Sequence, residues 1–459
     1  MPHGALRALL GGAKYEASTE MRDTLLERFQ AKLVPRPEYR SITTSVADKG
    51  RPILGWFFYK EAFASAFVQQ IAQERPLPHD AQVLDPFGGI GTVPFVCQTL
   101  GIRAVSVDMS PLPVFIANTK LQAARRDCSQ ELLALAAEAI GAMKDSSDTR
   151  RHPDVSIWAK AFDDEVASGL LDALELIQSR RSSGAHAADV CDIAHLALLC
   201  VAEEVSHAVK DGTSLRLREP GRRLGRAGVT KTVQDLKESF QQQVRAMACD
   251  LHDFRKDLLD DGLAFKVANQ SRVGDARLLS EMFGAGTVDL VVTSPPYPNR
   301  YDYSSIYALE LLLGFVRDRA ELRSLRFDLF RSHLEAPWPE SINGLTPAVE
   351  EILACLYVAG MSSPRVFKMI LGYFADIAST LDQLMVVMRP GAAAHFVVGN
   401  VRIEGQMVPV DLILADIALQ AGFRVESIRI ARYKGTNSQQ SKKFGAGRLR
   451  ESVVVFEKP

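Results

Sequence analysis

Hydrophobic and polar positions follow two rhythms along this chain. Short runs of aliphatic and β-branched residues predict strands at Val83-Leu84, Arg103 to Val107, Val288 to Val292, Ala393 to Gly399, Arg424 to Ala431 and Ser452 to Glu457. Between them lies helical spacing: Met21 to Lys32, Phe63 with Phe67 and Ile71, Val93 to Leu100, and Asp411 to Gln420, which Ala421-Gly422-Phe423 stops. From about Lys120 to Phe265 the alternation gives way to helical patterns alone, at Glu131 to Met143, Glu165 to Ile177, Ala194 to Ala208 and Val233 to Leu258. Beyond Tyr303 the chain reads as mainly helical to Val387, after which Arg389-Pro390-Gly391 turns into the next strand. Alternation at both ends predicts one α/β unit with a doubly wound, parallel-rich sheet, interrupted by a helical insertion. The boundaries are 1–50 for an N-terminal extension, 51–120 and 266–459 for the sheet unit, and 121–265 for the insertion.

The strand ends carry the unusual chemistry. The run Val288, Leu290, Val291, Val292 suits a strand covered on both faces, and it stops at Thr293-Ser294-Pro295-Pro296-Tyr297. Two prolines fix φ and remove two N–H donors, so the ladder ends, while the carbonyls stay able to accept from a ligand and the aromatic is expected exposed at the tip. Upstream, Asp85-Pro86 closes a short strand before Phe87, Gly88, Gly89, Gly91 and Thr92. Glycines there let a ligand lie against bare backbone, and the following helix offers unpaired N–H groups. It is not a dinucleotide fingerprint, because Pro94 stands where the third glycine belongs. The next strand ends at Asp108, at the distance of roughly 20 residues where a nucleoside ribose finds its acidic partner. Val273-Gly274-Asp275-Ala276-Arg277 delivers another Asp to a loop. An Asp at a strand end also serves as a turn or helix cap. What sets these apart is that all fall at carboxyl ends of strands in one sheet, where ligands bind in open α/β folds.

Composition narrows the picture without changing it. Of the 459 residues, 47% are hydrophobic and 24% charged, and 54 basic residues nearly balance 55 acidic ones. A polyanion must therefore be met by a local patch. One such patch is SLRLREPGRRLGRAGVTK, where Arg216, Arg218, Arg222, Arg223, Arg226 and Lys231 face only Glu219. A Pro-Gly-containing, arginine-dense loop suits phosphate contacts, although charge runs also serve as plain solvated faces. The basic stretch Lys434 to Arg450, with Lys442 and Lys443, is a second such patch. Six scattered cysteines without a CxxC pair, and no His cluster at ligand spacing, predict reduced thiols and no zinc site. No uninterrupted apolar run reaches the roughly 18 to 20 residues of a membrane span, so the expectation is a cytoplasmic, unexported protein away from membranes.

Taken together, DPFGGIGT, VSVDMSPLPV, VGDAR and TSPPY resemble the amino-group DNA methyltransferases that use S-adenosyl-L-methionine, over about 51–120 and 270–459. The resemblance implies a Rossmann-like class I methyltransferase fold with a mostly parallel seven-stranded sheet. It implies that Gly88, Gly89 and Gly91, with Phe87 and Thr92, hold the methionine end of the cofactor, with Asp85 near its amino group. Asp108 would take the ribose hydroxyls and Asp275 the adenine amine. The Tyr59 to Phe63 turn looks like the motif closing the pocket, which would put Lys60 and Phe63 on the cofactor, although the stretch departs from the usual Pro-x-Lys-Phe form. Ser294, Pro295, Pro296 and Tyr297 would be the catalytic tetrapeptide. In this family Ser at its first position accompanies N4-cytosine transfer and Asp N6-adenine transfer, so the reading favours cytosine with adenine as the alternative. C5-cytosine transfer needs a nucleophilic thiolate after proline, and no Pro-Cys occurs. An inactive nucleic-acid-binding relative would show a broken tetrapeptide, and an RNA base-amine enzyme would use the same pocket, often with an added RNA-binding module that is not recognisable here. The motif order, with the long insertion between cofactor loop and tetrapeptide, implies target recognition in that gap. The partner implied is DNA, with room for a cognate restriction or defence protein.

Overall fold

A computed structural model describes residues 18–59, 62–144, 153, 155–211, 214–217, 230–260, 267–339, 345–359, 363–435 and 448–459. Its centre is an eight-stranded sheet of β1 (Leu33–Pro35), β2 (Gln82–Asp85), β3 (Arg103–Asp108), β4 (Gln270–Val273), β5 (Val288–Thr293), β6 (Met388–Gly399), β7 (Arg424–Gly435) and β8 (Arg448–Glu457). The order is β1-β7-β8-β6-β5-β2-β3-β4. Every pair is parallel except the two that β8 makes, antiparallel to β7 and to β6. Seven of these strands are those of the expected fold. The eighth, β1, comes from the N-terminal segment and extends the sheet beside β7, Leu33 opposite Ile428.

Both faces of the sheet are covered, which explains the continuous apolar runs. Leu84, Val291, Ala394 and Phe396 point into one core with helices Pro347–Val358, Pro364–Val387 and Val410–Gln420. Val83, Leu290, Val292, Ala393 and Val397 point the other way, onto Ser65–Glu74 and Thr92–Thr99. Successive side chains alternate between faces as a pleated strand requires. Pro364–Val387 is long and apolar enough to cross a membrane by composition, but most of it is buried here as a core helix.

Within 121–265 the helices are Ser129–Ala142, Ser156–Ala161, Asp164–Ser183, Ala188–Ala202 and Val233–Asp260. They share a third core with Ile53, Trp56 and Phe57 and with Leu112 and Ile116 of helix Pro111–Ala123. The Trp56 indole donates to Asp250 Oδ2 at 2.8 Å, tying the two parts. Three expectations need correction. The helix expected to reach Ala208 ends at Ala202, and Ala208–Asp211 pairs instead with Ser214–Leu217 as a ribbon. The polar stretch from Lys434 begins as hairpin, Lys434 opposite Leu449, because Arg432 and Lys434 pair across the ladder with Glu451 and Arg448 lies over the Tyr433 ring at 4.7 Å, carrying the strands past their expected ends. β6 begins at Met388, straight from the helix, with Gly391 at φ 80° inside it.

Candidate active site

The strand order reverses at β2, whose neighbours β3 and β5 run off in opposite directions, and a cleft opens where their carboxyl ends part. Its empty volume is about 970 Å³. Asp85, Phe87, Gly88, Gly89, Thr92 and Asp108 line it, as do Asp275, Ser294, Pro295, Pro296 and Phe63. Gly91 does not. It turns the loop at φ 82°, and a Cβ there would stand 2.6 Å from Ala117 Cβ, so its absent side chain seats one helix on the next.

Three carboxylates enter this mostly apolar space. Asp108 accepts from Gly89 N at 3.1 Å on one oxygen and from Ser110 N at 2.9 Å on the other. Each oxygen keeps a lone pair for a ligand. Burial pushes its pKa up to about 6, against the pull of those two N–H groups. Asp85 Oδ1 accepts from Thr293 Oγ1 at 2.6 Å and Phe87 N at 3.1 Å. Burial, with Asp108 nearby adding to it, raises Asp85 to about 7. The Thr293 bond joins the glycine loop's strand to the tetrapeptide's strand directly. Asp275 accepts from Arg277 N at 2.8 Å and from Arg277 Nη2 at 2.7 Å, and Arg277 also reaches Asp376 Oδ1 at 3.1 Å.

Two further parts of the wall come from outside the strand ends. Tyr59 stacks between Tyr303 and Tyr307, ring centroids at 5.5 and 4.7 Å, and covers Gly89. Leu329, Phe330, Ser332 and His333 line the opposite side, Phe330 meeting the Phe87 ring edge-on at 5.1 Å. Asp376, on the core helix, accepts from Arg331 N at 2.9 Å and so holds this segment as well as Arg277. The only sequence signal is a buried Asp at an apolar helical position, which does not say what it grips.

Beyond Thr293 the chain leaves the sheet under constraint. Arg300 sits at φ 74°, and its N–H reaches Ser332 O at 3.3 Å. Tyr297, expected exposed, is 7% exposed. Its ring lies over Gly399 at the end of β6, where a Cβ would stand 3.1 Å from Tyr297 Cε2. Glycine there provides the seat that the sequence pattern did not reveal. Tyr297 faces a second cleft with Tyr301, Phe58, Thr43, Lys434 and Glu451, and Ser294 and Ala62 line both clefts.

Of the basic residues singled out, Arg216 is exposed on the ribbon Ser214–Leu217. Lys60, Arg218, Arg222, Arg223, Arg226, Lys442 and Lys443 lie outside the described residues. Among the described residues, no three His, Cys, Asp or Glu side chains gather as metal ligands, and all six cysteines are free.

No family model matches the chain. Over 456 residues it is 29% identical to the Type II methyltransferase M.AvaI of Nostoc sp. (strain PCC 7120 / SAG 25.82 / UTEX 2576), covering 95% of this chain and 92% of the relative. It is 27% identical over 461 residues to the Type II methyltransferase M.BsoBI of Geobacillus stearothermophilus, covering 92% and 88%. These matches take in most of the insertion as well as the sheet. Among solved structures, the rRNA methyltransferase aviRa from Streptomyces viridochromogenes aligns over 85% of this chain and 83% of its own at 13% identity, with a TM-score of 0.29. That likeness is too slight to bear on the site.

Proposed function

We propose, from its likeness to Type II methyltransferases over nearly its whole length, that this chain is a DNA methyltransferase acting on the exocyclic N4 amine of a cytosine extruded from the duplex. The cleft's donor set fits S-adenosyl-L-methionine. Asp108 offers one free lone pair on each oxygen to a vicinal diol, and Asp85 offers an anion to an ammonium. Asp275, held by Arg277, offers an acceptor to an adenine amine. Gly89 leaves backbone bare beneath the Tyr59 ring, and Gly88 brings the loop close onto Ser106, where a Cβ would stand 2.4 Å from Ser106 Cβ. When bound, that cofactor supplies a methyl group made electrophilic by its sulfonium.

The chain's own residues answer for the nucleophile. An aromatic amine is weak because its lone pair is delocalised into the ring. Ser294 Oγ and the Pro295 carbonyl accept its two hydrogens, favouring a more tetrahedral nitrogen whose lone pair is turned out of the ring. Pro295 and Pro296 hold those acceptors still, and preorganised acceptors lower the barrier without reorganising during reaction. Tyr297, seated on Gly399, presents its ring to the base taken from the stack. After transfer the nitrogen is positively charged and gives its proton to water, so no dedicated strong base is needed.

One observation carries this reading: Ser294 lines both the acid-lined cleft and the aromatic cleft, so the first residue of the tetrapeptide stands where the two meet. Digestion of DNA treated with protein and cofactor should release N4-methylcytosine, read by mass spectrometry. N6-methyladenine alone would overturn the choice of base, and methyl transfer to RNA in preference to DNA would overturn the acceptor.

A further inference from the structure

The far wall of the aromatic cleft is polar, and the sheet builds it. Glu451 on β8 pairs in register with Gly399 on β6, the residue beneath the Tyr297 ring, and with Arg432 on β7. Its carboxylate is 2% exposed and is held by Arg432 Nε and Lys434 Nζ, with Thr43 Oγ1 donating at 3.4 Å. Two cations on one anion leave the group net positive. Lys434 is the more exposed of the two cations, and it reaches the cleft while Arg432 does not. An ammonium has three N–H donors, and Glu451 fixes its position by taking one.

Resting on the reading of Ser294 as the amine-binding group, we propose that Lys434 is a base-specificity residue that donates to the O2 carbonyl of the target cytosine. Along one edge of cytosine the groups run N4 amine, N3, O2. With Ser294 and Pro295 at the amine and Tyr297 on the ring face, the next position along that edge faces a wall of donors. Adenine, a larger purine, presents C2–H at the corresponding place and gives this donor no acceptor on the base, so the contact favours cytosine. Thr43 brings the N-terminal segment into the same wall, so residues far apart in sequence meet on one base edge.

Lys434→Met keeps the stem and removes the donors at a partly exposed position, and Arg432 continues to pair with Glu451. The probe is a duplex carrying the site that methylated genomic DNA reveals, with cytosine or 2-thiocytosine at the target, since sulfur is a weak acceptor. In the wild type, the thio substitution should lower kcat/KM by about tenfold, as expected for a charge-assisted hydrogen bond. K434M should lose about as much on ordinary cytosine and less than about twofold more on the thio substrate. If N4-methylcytosine is made but K434M stays within about twofold of wild type, or both proteins suffer equally from the thio substitution, the Lys434 assignment is overturned while the function stands. If the product is N6-methyladenine, the base assignment falls and this contact with it.

Discussion

The two clefts that meet at Ser294 are built in opposite ways. The acid-lined cleft takes its carboxylates, glycine loop and Pro-Pro tip from the carboxyl ends of adjacent parallel strands, in short stretches each contiguous in sequence (Asp85 to Thr92, Asp108, Asp275, and Ser294 to Pro296), with Tyr59 and the Leu329 to His333 segment completing its walls. The aromatic cleft gathers Thr43, Phe58, Tyr297, Lys434 and Glu451, segments brought together by the antiparallel β7–β8 hairpin and the N-terminal chain. A local design suits a ligand that never varies, with groups fixed by backbone. An assembled wall suits a partner whose identity must be discriminated. The comparison predicts that damage to the first should register in cofactor affinity, damage to the second in DNA, and damage to the boundary in turnover.

The boundary should give the largest effect. Ser294→Ala removes one of the acceptors proposed for the amine, and losing such a preorganised group costs roughly 10²- to 10³-fold in kcat. Cofactor affinity, measured by calorimetry, should stay within about twofold of wild type. Loss of affinity with unchanged kcat would place Ser294 in the first cleft alone and dissolve its boundary role.

Tyr297→Ala should come next. Base–aromatic stacking contributes roughly 1 to 3 kcal/mol per base, so KM for DNA should rise by about ten- to a hundredfold. Tyr297→Phe keeps the ring and should recover most of that loss. Because the ring is packed on Gly399, thermal unfolding of both variants must be followed alongside the kinetics. If Phe fails where the fold is intact, the hydroxyl and not the face is what DNA needs.

This difference in construction also decides what could be read from sequence. Strand exits with Asp, Gly or Pro-Pro are contiguous signals, and the acid-lined cleft is legible from Asp85, Asp108 and Ser294 because each lies within its own stretch. The Thr293–Asp85 bond, the Asp376 anchor and the Gly399 seat join residues far apart, and a one-dimensional pattern cannot show which partners a fold will bring together. Tyr297 was expected exposed for the same reason: a proline-rich tip reads as outward-facing until a glycine on a distant strand is seen to receive the ring. β1 went unread because three residues carry too little pattern to announce a strand.

A smaller effect should follow pH, and only in the first cleft. Asp85 and Asp108 have folded pKa values of about 7 and about 6, above the unfolded value of roughly 3.9. The native state therefore holds more protons in that window, and the stability these groups contribute is present at low pH and lost as pH rises through their folded values. Cofactor binding runs the other way, because its ammonium and hydroxyl groups require the carboxylates. Affinity should be full near pH 8 and weaken as pH falls through 7 and 6, by at most about tenfold per unit for each group. The thermal shift given by cofactor should shrink in parallel, and a flat profile from pH 8 to 5.5 would show that neither carboxylate meets it.

The smallest expected effect belongs to the insertion. Arg216 is exposed on the ribbon opposite Val209, and the adjoining Lys210 is buried against Glu310, with Glu203 Oε2 at 3.2 Å and the Tyr307 ring at 4.8 Å. Tyr307 in turn stacks on Tyr59, which covers Gly89. The ribbon is thus anchored to the roof of the acid-lined cleft by Lys210, and Leu215 and Leu217 pack on the insertion core while Arg216 between them is exposed, a mount for the phosphate contact proposed there. Arg216→Ala should weaken DNA binding only severalfold, reduce the salt slope of the affinity by about one, and leave discrimination between cytosine and adenine untouched. Changing Arg222 and Arg223 together should add to that slope change. An unchanged slope in the combined variant would remove the insertion from the DNA-binding surface and leave the β7–β8 hairpin, beside the aromatic cleft, as the route by which the duplex reaches Ser294.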